Sequence, residues 1–222
     1  MEVGTAKVRD SIKAESDLLR AQERHREIDA VRLFTTGIAN EDFGAVVSAM
    51  GRLQYSAGYF RRIIAAAKTR RTLSAPFRAQ MLDYFLHNGD ALRSAAANDL
   101  ILIDFLRAVL PRYSGPAITL FRGESLGNRT HRRYGLSWSA SKEIGRDFAQ
   151  RDHPLLSTGA SVLLMTKAPA RAVICAPALL NNRYGEEEYI VDRRQLHKVT
   201  VLERFCVADR AKLMSPSGTM PF

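Results

Sequence analysis

The segment RYGEEEYIVD, residues 183–192, sets three consecutive carboxylates, Glu186, Glu187 and Glu188, at the entrance to a Tyr-Ile-Val run in a chain of formal net charge +10. Repelling charges at the mouth of a strand are ordinarily destabilising, so the run is either a solvated turn or a chemical site. If it is extended, Glu186 and Glu188 share a face with Ile190 and Glu187 turns away, because side chains alternate along a strand. Two further polar anchors lie upstream. Arg122 ends the run AITLFR and is followed by Gly123. A guanidinium there can grip a phosphate with two parallel bonds, and a glycine beside it lets a ligand approach the backbone. Ser137 and Ser139 flank Trp138 and place two hydroxyls on one strand face, where Ser137 can donate to a carboxylate. An arginine fork suits a phosphate-bearing ligand, and a carboxylate on a strand of a basic chain is tolerated where hydroxyl donors or cations hold it.

The elements that would position these groups fall into two halves of different periodicity. Residues 1–112 read as helical, with a charge-rich start of weak apolar stripe. The clearest pattern spans residues 40–68, where Phe43, Val46, Val47, Met50, Leu53, Ala57, Phe60 and Ile64 recur at three- and four-residue steps. Asn40 is the expected N-cap of that helix, with Glu41 and Asp42 in its first turn. A second helix is expected after Ser74-Ala75-Pro76, ending near Asn88-Gly89, and a third from Asp90 to the stop at Pro111. Residues 113–222 carry short β-branched and apolar runs at 117–122, 135–139, 161–167, 172–176, 189–191 and 199–207. One short helix interrupts them after Ser141, with Ile144 and Phe148 four residues apart. The fold class expected is α+β: an all-helical N-terminal half packed on a C-terminal β-rich core, together one compact unit.

In order and spacing, LFRGE, GLSWSASKEIGRDFA, SVLLMTKAPARAVI and RYGEEEYIV resemble the Arg-Ser-Glu class of mono-ADP-ribosyltransferases, which includes bacterial toxins, bacteriophage enzymes and vertebrate ectoenzymes. The likeness covers about residues 117–207. It departs from the family at Trp138, where Thr is usual, and at Ser141-Lys142 in place of a Leu-Asn type continuation. Neither change removes a chemically required group. The resemblance implies a core of two small sheets and NAD as substrate, with no metal. It implies that Glu188 faces the ribose cation, that Ser137 orients Glu188, and that Arg122 holds the phosphates. Gly123 and Ser139 would complete the NAD site, and Phe148 would pack beside the nicotinamide. Glu186, at the end of the 181–185 loop with Tyr184, would choose the acceptor, and a Glu there resembles arginine-directed members. Glu187 would be a solvent-facing bystander.

Composition bounds the alternatives. Hydrophobic content of 46% predicts a folded chain rather than a disordered one. No apolar run approaches the roughly 20 residues of a membrane span. The charged start MEVGTAKVRDSIKAES has no apolar signal core. Cys175 and Cys206 form no close pair, so neither a disulfide framework nor a zinc site is indicated, and a reducing cytoplasmic working place is expected. There is no GxGxxG, GxxxxGK[ST] or HExxH pattern, and His25, His87, His131, His153 and His197 are scattered. Basic residues cluster at Arg61, Arg62, Lys68, Arg70 and Arg71, and again at Arg129, His131, Arg132 and Arg133. Such clusters suit polyanions, and equally a solvated face or an acidic partner. Under the resemblance an RNA or DNA base is the rival acceptor to the protein arginine that Glu186 implies, with the arginine slightly ahead. Rival readings are an NAD glycohydrolase and a non-catalytic basic module binding nucleic acid or protein. The expected setting is a toxin of bacterial conflict or a bacteriophage protein, with an antitoxin or other inhibitory protein as partner.

Overall fold

The computed structural model describes residues 2–53, 63, 67, 72–96, 98–151, 159–180, 185 and 187–206, with side chains from residue 12 onward. The chain divides into two compact units, Met1–Leu110 and Pro111–Phe222.

In the first unit, α1 spans Glu2–Asn40 and α2 spans Phe43–Leu53. Asn40 closes α1, and the N-cap of α2 is Asp42, whose Oδ1 accepts from the Ala45 amide at 2.9 Å. The sequence expectation named the wrong one of three polar residues. Glu41 takes φ 54° to turn the chain, which leaves Asp42 rather than Asn40 at the head of α2. Val46, Ala49, Met50 and Leu53 form the buried face of α2, with Gly37 of α1 close against Val46. The expected continuation through Ala57, Phe60 and Ile64 lies outside the described residues. Helix α3, Ala75–Ala96, is two helical segments meeting at a kink at Asn88, so the expected end near Asn88-Gly89 is present as a break within it. Asn88 there has φ −125° and ψ 17°, and its side-chain Nδ2 donates to the Tyr84 carbonyl at 3.0 Å. The segment after the kink stops at Ala96 instead of continuing to Pro111, and helix α4 starts anew at Asp99 and runs to Val109, capped by Asn98 Oδ1 on the Leu100 amide at 2.8 Å. Leu110 is extended, as a residue before proline prefers. Arg78 Nη1 donates to the Ala108 and Leu110 carbonyls at the end of α4. The outer part of α1 is exposed, Ile12, Leu18 and Leu19 included.

In the second unit the strands are β1 (Ile118–Ser125), β2 (Ser137–Ser139), β3 (Ala160–Ala168), β4 (Val173–Cys175), β5 (Glu188–Val191) and β6 (Val199–Cys206). Between β1 and β2 lies the short helix α5, Leu126–Thr130, and between β2 and β3 lies α6, Lys142–Gln150. The strands form one antiparallel sheet in the order β4-β5-β2-β1-β3-β6. This corrects the expectation of two small sheets. Strand β1 pairs with β3 along its whole length and with β2 through a single bridge, Phe121 opposite Ser139, and that bridge makes the ladder continuous. The molecule is α+β with a helical N-terminal half, and no described helix is long and apolar enough to cross a membrane.

The two faces of the sheet are covered differently. Leu120, Trp138, Val162, Leu164, Tyr189 and Val191 bury one face, with Tyr134 and Leu196 over it and the Tyr134 and Trp138 rings edge-on at 6.1 Å. Helix α6 covers the other face through its two smallest residues, Gly145 and Ala149. Gly145 lies against Phe121 and Leu163, and the Ser161 hydroxyl donates to the Ala149 carbonyl.

Candidate functional site

The register of β1, β2 and β5 determines which polar groups meet. Ser139 stands opposite both Phe121 and Glu188, and Ser137 stands opposite Ile190. Opposed residues of an antiparallel pair point to one face, as do residues two apart, so Ser137, Ser139 and Glu188 share the face of Phe121 and Gly123. The Ser137 hydroxyl crosses diagonally to donate to Glu188 Oε1. Both residues are half-buried.

Arg122 starts on the opposite face, with Leu120 and Trp138. Its guanidinium lies against Gly135, just before β2, and Nη1 donates to the Ser137 carbonyl. Nε donates to Glu124 Oε2 at 2.9 Å. Among the described residues nothing accepts from Nη2. Arg122, Ser137 and Glu188 are thus joined in one chain of hydrogen bonds, arginine to serine carbonyl and serine hydroxyl to carboxylate. The arginine touches the serine's backbone rather than its side chain.

The remaining expected residues divide. Ser139 is buried and its Oγ accepts from the Ser141 amide at 3.0 Å, fixing the turn into α6. Ser141 then caps α6 by accepting from the Ile144 amide at 3.2 Å. The room that Gly123 leaves is filled by α6, not by open space: a Cβ there would lie 2.0 Å from the Ala149 nitrogen and 2.5 Å from the Phe148 carbonyl carbon. Close approach is indeed what this glycine permits, but the approaching backbone is the protein's own. Phe148 is half-buried, with the Arg151 guanidinium carbon 3.7 Å above its ring. Glu187 is exposed, and its carbonyl accepts from the Ala140 amide at 3.1 Å. Its φ of 44° is left-handed, and β5 begins at Glu188. Glu186 and Tyr184 lie outside the described residues, as do the basic residues at 61, 62, 68, 70 and 71.

One acidic residue at this junction was not singled out from sequence. Glu124 is buried at the end of β1, and Oε1 accepts from the Ser125 amide at 3.0 Å and from Asn128 Nδ2 at 2.9 Å. Oε2 accepts from Arg122 and from the Gly135 amide at 3.0 Å. Burial pushes this carboxyl up, but the Arg122 charge and the Asn128 and Gly135 donors outweigh burial and hold it below the ordinary carboxylate range. A pattern of i and i+2 on β1, Arg122 and Glu124, was the available signal.

Among the described residues no group of three or more His, Cys, Asp or Glu is arranged to hold a metal ion. Comparison with protein-family models, with curated proteins and with solved structures finds no match.

Proposed function

We propose that this protein is an NAD-dependent mono-ADP-ribosyltransferase whose reacting residue is Glu188. The observation that carries the reading is the Ser137 hydroxyl on Glu188 Oε1, with Arg122 bound to the carbonyl of the same serine. Three separate strands contribute an acid, a hydroxyl and a guanidinium to one junction. In the reaction, the bond between the nicotinamide nitrogen and ribose C1′ breaks and its electron pair leaves with nicotinamide. The nucleophile of the acceptor forms the new bond to C1′ and gives up its proton. Positive charge on the ribose is greatest between these events, as in glycoside hydrolysis. A carboxylate fixed beside that carbon stabilises the transition state more than the ground state. The Ser137 hydroxyl limits the orientations of Glu188, and Arg122, whose Nη2 has no acceptor among the described residues, is suited to an oxygen of the NAD diphosphate.

Incubation with NAD labelled in its ADP-ribose moiety, and separately in nicotinamide, tests the reading. Glu188→Gln preserves shape and removes charge, so transfer should fall about a hundredfold or more while NAD binding persists. Equal turnover by variant and wild type would refute the assignment. Label on a macromolecule that protease removes and nuclease does not identifies a protein acceptor, the arginine-directed outcome implied by Glu186. The converse identifies a nucleic-acid base. Nicotinamide release with no labelled macromolecule identifies water as acceptor.

A further inference from the structure

Strand β1 carries a buried carboxylate two residues beyond its arginine, and the reaction scheme gives that carboxylate no task. Glu124 receives four hydrogen bonds, from Arg122 Nε, Gly135 N, Ser125 N and Asn128 Nδ2. An acid held by four donors has no room to take a proton from a substrate, so it is a fixed point rather than a general base. What it fixes is Arg122. The guanidinium is held at Nε by Glu124 and at Nη1 by the Ser137 carbonyl, and it lies flat against Gly135. A Cβ at position 135 would come within 2.1 Å of Nη2 and 2.5 Å of Cζ. Three restraints on a planar group leave one orientation, in which no described residue accepts from Nη2. A flexible arginine would lose this pre-organisation and with it part of its affinity.

We propose that Glu124 is a positioning residue that locks Arg122 so that its uncommitted edge meets the diphosphate of the dinucleotide, an inference that rests on the NAD reading above. Phosphate contacts away from the reacting carbon act equally on ground state and transition state, so the effect belongs in KM and Kd rather than in kcat. Glu124→Gln removes the charge and keeps the shape. KM for NAD should rise about tenfold with kcat within about threefold, and Glu124→Asp, shorter but still charged, should fall between. Gly135→Ala attacks the same guanidinium from its other side. Its methyl meets only the far end of a flexible side chain, so it should produce the same KM rise in a folded protein even if Glu124→Gln does not fold.

Calorimetric titration with NAD in the Glu188→Gln background gives a readout that does not depend on turnover. Adding Glu124→Gln or Gly135→Ala should weaken binding about tenfold. A merely structural Glu124 would lower the melting temperature and the active fraction, and hence apparent kcat, with KM and Kd unmoved, and that result overturns the proposal. Wild-type protein that does not bind NAD overturns the parent reading and this one together. NAD binding indifferent to both substitutions overturns this one alone.

Discussion

An alanine methyl at position 123 would sit 2.0 Å from the Ala149 nitrogen, inside any permissible contact, and both partners are backbone. Nothing flexible can yield there, so α6 must lift off β1, losing the contacts that Gly145 and Ala149 make on the same face. Gly123→Ala is expected to destabilise the protein by about 2–4 kcal/mol, read as a shift of the urea unfolding midpoint with an unchanged slope. A change of less than about 0.5 kcal/mol would show that α6 does not lie so close to β1. The same residue illustrates what was legible in the sequence. Arg122, Ser137 and Glu188 could be found because a charge or hydroxyl at a strand position contradicts a purely apolar core, and that contradiction is visible one residue at a time. The use of Gly123 was not legible, since a glycine after a strand arginine fits a ligand and a helix equally well. Glu124 was hidden for another reason. Its donors come from Arg122, Ser125, Asn128 and Gly135, a set that exists only after α5 has turned the chain back onto β1. Nor does Glu187 announce φ 44° in advance, because a glutamate has no preference for left-handed backbone.

Helix α6 is held at its other side by charge. Arg146 grips Glu203 on β6 through Nε and Nη2 at 2.9 and 2.7 Å, and Lys142 Nζ lies 3.4 Å from the same carboxylate. The Arg146 hydrogen bonds, with the Arg146 and Lys142 charges, bring the Glu203 carboxyl from its ordinary 4.5 down to about 2. A depressed carboxyl binds fewer protons when folded, so its contribution is full above the ordinary value and disappears as pH falls toward about 2. The melting temperature of wild type should therefore exceed that of Glu203→Gln by most above about pH 5, and the gap should close on acidification. The Arg146 and Glu203 side chains are about one-third exposed, so added salt should narrow the gap at neutral pH. A gap independent of both pH and salt would assign the role of Glu203 to packing. At this scale the strands and α6 were legible because composition and period are local properties. The number of sheets was not, because it turns on one bridge between Phe121 and Ser139, a pairing between distant residues. The helix boundaries moved for local reasons that compete closely. Asp42 displaced Asn40 as a cap once Glu41 turned the chain, and the segment that follows the kink at Asn88 stops at Ala96, where Asn98 caps a new helix.

Over the whole chain, the excess of 33 Lys and Arg over 23 Asp and Glu gives the charge of +10, and its distribution can separate catalysis from delivery. His131, Arg132 and Arg133 are exposed on the turn between α5 and β2, and among the described residues no acid pairs with either arginine. The turn is held by its backbone, the Arg133 amide donating to the Asn128 carbonyl at 2.8 Å and the Arg132 amide to the Arg129 carbonyl at 3.2 Å. Side-chain substitution there should leave the loop in place. If these cations meet a polyanion, each phosphate neutralised releases counterions, and log affinity for duplex DNA falls with log salt by about 0.9 per contact. Arg132→Gln with Arg133→Gln should then reduce that slope by about 2, measured by fluorescence anisotropy across a salt series. Under the proposed reaction, turnover of NAD without any macromolecular acceptor should not change, because neither side chain bonds to Arg122, Ser137 or Glu188. A nucleic-acid acceptor predicts that the double substitution lowers transfer at physiological salt in step with the binding loss. A protein acceptor predicts that transfer is unaffected while the salt slope still falls. Should the slope itself stay unchanged, the turn makes no phosphate contacts and the net charge acts elsewhere on the molecule.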